Sequence, residues 1–169
     1  MVVRARPVVL ADTNVIIEAV RSGCWPALTG ALSIETVATC RDEALAGDRT
    51  RAGYVAVTPG DLARLSRVHT VTGAEVATFA LAYEGADGMD DGERDLFAHA
   101  FGRTDGAWLL CSPDRASVRA AVALHWGERL ISLAELAAQV GARPALRAQF
   151  QAAWLSEWRT HFVLQLGLS

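Results

Sequence analysis

The chain has 169 residues, 51% of them hydrophobic and 21% charged, with a formal net charge of −3; that is the balance of one globular domain large enough to bury a core. All 16 basic residues are arginine, which excludes P-loop nucleotide hydrolysis, Schiff-base chemistry and any phosphotransfer that relies on lysine. Cys24, Cys40 and Cys111 are scattered, with no CxxC spacing and no paired histidines, which speaks against a disulfide framework and against a zinc site.

In chain order, the opening MVVRARPVVLADTN reads as no secretory leader, and no run is long enough to span a bilayer, so a cytoplasmic protein without a membrane partner is expected. Val8-Val9-Leu10 has the apolar character of a buried parallel strand, and it stops at Ala11-Asp12-Thr13-Asn14, rich in helix-capping residues. Val15, Ile16, Ala19 and Val20 follow at helical spacing up to Ser22-Gly23. Leu32 to Val37 reads as a second strand, with Thr39 as cap of a helix that carries Glu43 in its first turn and ends by Gly47. Asp48 to Gly60 is polar and turn-rich, with a short strand expected at Tyr54–Val57. Leu62, Leu65 and Val68 mark a further element of undecided type.

Ala74 to Tyr83 is expected to be helical, 85–92 a loop, and Glu93 to Phe101 a helix with an acidic first turn. Ala107 to Cys111 reads as a strand ended by Ser112-Pro113-Asp114. A helix over Arg115–His125, a short strand at Arg129–Ile131 and a Ser132-capped helix to Val140 complete the body. This alternation predicts an α/β three-layer sandwich with a mostly parallel central sheet over residues 1–141. Beyond Gly141-Ala142-Arg143-Pro144, residues 142–169 read as a long amphipathic helix. Its stripe of Leu146, Phe150, Trp154, Trp158, Phe162 and Leu166 serves either to pack on the body or to form a dimer or partner interface.

Ligands of a parallel α/β sheet gather at the carboxyl ends of its strands, where Asp12 and Asp114 fall. Glu43 and the pair Glu93 and Asp95 begin helices facing the same end. Each acid also has a local explanation: Asp12 and Asp114 as helix caps, Glu43 as a solvated side chain, Glu93 and Asp95 as partners of a helix dipole. Jointly they suggest an all-oxygen site for a hard divalent ion, Mg²⁺ or Mn²⁺. Glu93 and Asp95 lie about 200° apart on a helix, so one of them serves the site; Glu93 is preferred and Asp95 second. The Asp90-Asp91 pair reads as loop polarity.

The run Val8-Val9-Leu10-Ala11-Asp12-Thr13-Asn14-Val15 resembles the opening of the PIN domain, and Glu43 falls where that family carries its second acid. Asp91-Gly92-Glu93-Arg94-Asp95-Leu96-Phe97-Ala98-His99-Ala100 is similar to its third motif, and Leu109-Leu110-Cys111-Ser112-Pro113-Asp114 to its fourth. The likeness runs from Val8 to about Leu136 and leaves the aromatic tail unmatched. It implies a PIN-like fold and a metal-dependent endoribonuclease acting on RNA, with Asp12, Glu43, Glu93 and Asp114 catalytic. Asp12 and Asp114 would hold the ion directly, with Glu93 or Asp95 beside them. Asn14 and Ser112 are candidates for orienting those carboxylates or a phosphate oxygen, and Arg41, Arg94 and Arg115 for gripping the strand. Small PIN proteins include VapC-type toxins held by an antitoxin, and a homodimer is expected. The rival is a catalytically idle PIN-like module that binds or dimerises through its aromatic helix.

Overall fold

Four parallel strands in the order β3-β2-β1-β4 form the spine among the described residues: β1 Val8–Ala11, β2 Ser33–Val37, β3 Arg67–His69 and β4 Trp108–Cys111. The computed structural model describes residues 8–168. Residues 1–7, which open both the stretch read as leaderless and the 1–141 unit, lie outside them, as does Ser169 at the close of the 142–169 segment.

Parallel neighbours need crossovers, and helices supply them. α1 (Thr13–Arg21) and α2 (Trp25–Ala31) lead from β1 to β2, and α3 (Ala38–Leu45) and α4 (Pro59–Leu62) from β2 to β3. α5 (Gly73–Ala82) and α6 (Asp91–Phe101) carry the chain past β2 and β1 to β4 on the far side. α7 (Arg115–Ala123), α8 (Leu133–Gln139) and α9 (Ala152–Gln165) follow. Because β2 and β4 flank β1 on opposite sides, the chain reverses direction there, and a crevice opens at the carboxyl ends of β1 and β4.

Side chains alternate across the sheet, so each face carries its own apolar cluster. Val9, Ala11 and Ile34 pack with Val15, Ile16, Trp25, Leu28, Leu133 and Leu136 of α1, α2 and α8. Leu10 and Leu110 pack on the other face with Phe79, Leu96, Phe97 and Val118 of α5, α6 and α7. This is the arrangement of an α/β sandwich with a parallel sheet.

Several expected elements take other forms. Tyr54–Val57 is not a strand. The undecided element resolves into α4, opened by a Thr58/Asp61 capping box, and the strand β3. Residues 25–31 are a helix that starts with Pro26 in its first turn, a position where the missing N–H costs nothing. Thr39 does not cap α3; Val37 occupies that position. Arg129–Ile131 is not a strand but a 3₁₀ turn at Gly127–Arg129 followed by one parallel bridge from Leu130 to Leu110.

The aromatic tail is not one helix from Leu146. Gln151 is extended (φ −84°, ψ 151°), Phe150 ends a 3₁₀ turn, and α9 begins at Ala152. Phe150 and Leu146 join the cluster of α1 and α8, whereas Leu155, Phe162, Trp154 and Trp158 join that of α6 and α7. The segment thus serves both faces of the sheet. It is fastened to α1 by Glu18, whose buried carboxylate accepts from Arg21 Nε and Nη2 (2.7 and 2.6 Å) and from the Arg147 N–H (2.8 Å). Burial opposes the ionised Glu18, but the Arg21 and Arg147 donors outweigh it and hold the carboxyl below its usual range.

Candidate active site

Asp12 ends β1 at that crevice. Its N–H donates to Cys111 O of β4 (3.1 Å), and Thr36 Oγ1 of β2 donates to the adjoining Ala11 O (2.7 Å), which fixes the strand end from both sides. Asp12 stands at the N-cap position of α1 with extended backbone, yet its side chain makes no capping hydrogen bond. Its Oδ2 is buried without any hydrogen-bond partner. Carboxylate oxygens are seldom left so. Capping therefore does not account for Asp12.

The other acids converge from separate elements. Glu43 lies in the second turn of α3, not the first; its Oε2 accepts from Thr13 Oγ1 (2.8 Å). The same carboxylate lies against Gly92, where a Cβ would stand 2.6 Å from Oε2, so only a residue without a side chain permits this approach. Glu93, in the first turn of α6, is buried, and its Oε1 accepts from the buried Ser117 Oγ of α7 (2.7 Å). Asp114 caps α7 by accepting from Ala116 N–H (2.6 Å). Asp90 caps α6 by accepting from Glu93 N–H (2.8 Å).

The charges act on one another. Asp12 is pushed up to about 7, first by burial, then by Asp90 and, less, by Glu43, against the pull of the Thr13 and Asn14 N–H groups. Glu93 is pushed up to about 8 by burial, with Asp114, Asp90 and Asp12 adding to it and Ser117 opposing. Five carboxylates thus share one field. The set of three donor groups within 4.8 Å of one another among the described residues lies elsewhere.

Cys40 and Cys111 border this field. Cys40 is pushed up to about 12 and Cys111 higher still, by burial and then by Asp12. Ser112 is buried and its Oγ accepts a long bond from Asp114 N–H (3.4 Å). Asn14 is exposed and lines two adjoining clefts, one with Asp114 and Arg147, the other with Arg51 and Tyr54.

Asp95 is drawn away from the expected role, because its Oδ2 accepts from Thr39 Oγ1 and ties α6 to α3. The expected phosphate grips are also engaged: Arg94 Nη2 with Asp91 (2.7 Å), Arg41 with Asp42 (2.8 Å), and Arg115 over the Trp158 ring at 3.9 Å. The arginines at the clefts are Arg51 and Arg147, which motif reading did not find because neither lies in a motif. Nor did it find Asp90, Thr13 or Ser117. Ser117 left one trace, a polar residue on the apolar side of α7 beside Val118, Ala120 and Ala121.

The closer set of donors is Glu35 of β2, His69 of β3 and His99 of α6, a group that could hold a metal ion. His69 Nε2 lies 2.7 Å from Glu35 Oε2, and Arg103 Nη1 lies 3.2 Å from the same oxygen and 3.4 Å from His99 Nε2. The two imidazoles stack at 3.8 Å. Burial, then His69 and Arg103, lower His99 to about 4. The scattered histidines concealed this group, since 30 residues separate two positions that sheet and helix bring into contact.

No family model, curated protein or solved structure matches the chain. Among the described residues no helix is long and apolar enough to cross a membrane.

Proposed function

We propose that the chain is a metal-dependent nuclease of the PIN type that hydrolyses phosphodiester bonds in RNA at the crevice beside Asp12. The observation that carries this reading is the unpartnered, buried Asp12 Oδ2 in a field of carboxylates from β1, α3, α6 and α7. Such an arrangement is unfavourable by itself and becomes favourable around a divalent cation. The donors are all oxygen, which suits Mg²⁺ or Mn²⁺.

Asp12 and Asp114 would hold the ion, with Glu43, Glu93 and Asp90 binding it or its waters. A divalent ion there supplies charge neutralisation at the phosphate and acidifies water. The chain's own groups do the rest. Thr13 and Ser117 orient Glu43 and Glu93 through their hydroxyls, and a carboxylate of raised pKa can accept the proton of the attacking water. Arg51 and Arg147 flank the exposed Asn14 at the cleft and are placed to hold a phosphate backbone. The aromatic stripe, invoked for an idle binding module, is largely engaged with the body. An antitoxin or a second copy of the chain remains compatible with the exposed crevice.

Asp12→Asn tests this directly. Metal-stimulated cleavage of a mixed RNA pool by the wild type, falling at least a hundredfold in the variant, is the expected result. Cleavage indifferent both to metal and to this substitution overturns the reading.

A further inference from the structure

We propose that Glu35, His69 and His99 form a second metal site, separate from the acid crevice, which takes a borderline divalent ion such as Zn²⁺ and clamps the edge strand β3 to α6. The donors come from three elements and lie within 4.8 Å of one another. Two imidazoles and one carboxylate are the donor set of zinc and related d-block ions, not of Mg²⁺.

The position already attracts positive charge. Arg103 Nη1 touches both Glu35 Oε2 (3.2 Å) and His99 Nε2 (3.4 Å), so the guanidinium stands where an ion would bridge the same two atoms. Its Nε and Nη2 also bond Asp105 (2.9 and 2.6 Å) in the loop after α6. Asp105 is half exposed whereas Arg103 is largely buried, so an ion entering here displaces a guanidinium that keeps its partner at the surface. Glu75 of α5 also acts on both imidazoles. Two carboxylates, Glu35 and Asp105, therefore face one guanidinium, an excess of negative charge that a divalent ion balances.

Binding requires Arg103 to give up its contacts with Glu35 Oε2 and His99 Nε2. His69 presents Nε2 toward Glu35 Oε2; on metallation an imidazolium releases its Nε2 proton to solvent and retains the one on Nδ1, whereas a neutral ring protonated at Nε2 moves that proton to Nδ1 by exchange with water. The stacked rings turn about their side-chain bonds so that both Nε2 atoms meet the ion. Water completes the coordination. The side chains of Glu35 and His69 are only 11% and 16% exposed, which suits a structural rather than a catalytic ion. The clamp joins β3, a strand of three residues at the sheet edge, to the helix whose first turn carries Glu93.

The whole chain, stripped with chelator, is titrated with Zn²⁺ against a chromophoric competitor and with Co²⁺ by visible absorption. One equivalent is expected to bind with unchanged affinity in Asp12→Asn and at least tenfold more weakly in His99→Gln and Glu35→Gln. Gln can still accept from Arg103, so His99→Gln should melt like the zinc-free wild type, and zinc should raise the melting temperature of the wild type and of Asp12→Asn but not of His99→Gln. Arg103→Ala removes the competing cation and should bind zinc several-fold more tightly. Zinc binding lost in Asp12→Asn but intact in His99→Gln would place the ion in the acid crevice and overturn the proposal. So would the absence of binding at micromolar zinc in both wild type and Arg103→Ala. Neither result depends on the chain being a nuclease.

Discussion

Asp12 and Glu93 are carboxyls that the fold makes costly to ionise. With their pKa values raised to about 7 and 8, the metal-free protein binds more protons folded than unfolded above about pH 4. The sign follows: stability from these groups is greatest when they are protonated and declines as pH rises through about 8. Without metal, Asp12→Asn should therefore melt several degrees above wild type at pH 8, and the gap should shrink toward pH 5; saturating Mg²⁺ should narrow it from the other side. A gap that widens toward low pH in calorimetry contradicts this. Gly92→Ala makes a second case. Its Cβ would meet Glu43 Oε2 at 2.6 Å, so cleavage should fall about tenfold in wild type, whereas in a Glu43→Ala background the same change should be nearly silent in both activity and melting. Ser117→Ala removes the hydroxyl that steadies ionised Glu93, a bond worth about 1.5–3 kcal/mol, and should move the alkaline rise of the rate profile upward by about one pH unit. Residue types and chain order made Asp12, Glu43, Glu93 and Asp114 visible in the sequence. The hydroxyls and Asp90 were hidden, because a capping aspartate and a charge-sensing one share the same local signature.

At the scale of elements, the strands β1, β2 and β4 and most helices were legible where periodicity was strong and caps were explicit, as in the Ser132/Glu135 box that opens α8. Gly141, at φ 74°, ends that helix region in the left-handed conformation that glycine favours. What failed were short elements whose form depends on partners. β3 has three residues and exists because β2 offers it an edge. The run at Tyr54–Val57 has equal strand character and pairs with none of the four strands. The regular fourfold spacing from Leu146 suggested continuous helix, but Leu146 and Phe150 serve one face of the sheet and Trp154 onward the other. A straight helix cannot do both. Phe162→Ala should accordingly cost about 3–5 kcal/mol, read from urea melts, while the exposed Leu164→Ala should change stability by less than about 0.5 kcal/mol.

Taken as a whole molecule, the chain closes on itself through Glu18. Arg21, Arg147 and the Ala145 carbonyl meet around one buried carboxylate, so the segment 142–168 is joined to the first helix as well as to α7. Ending the chain at Gly141 would strip Val118 and its neighbours of their cover and leave Glu18 without its Arg147 donors. The truncated protein should be aggregated or far less stable, and light scattering with calorimetry can tell this from a soluble, well-folded body that has merely lost an interface. The two thiols bordering the acid crevice carry a different consequence. Cys40 and Cys111 are sealed from solvent, and their neighbourhood keeps them as thiols at any ordinary pH, so they react with alkylating reagents only when that region opens. They are built-in timers of local opening: the rate at which a fast reagent labels each one measures how often the floor of the crevice breathes, and how far a bound ion or RNA slows that breathing.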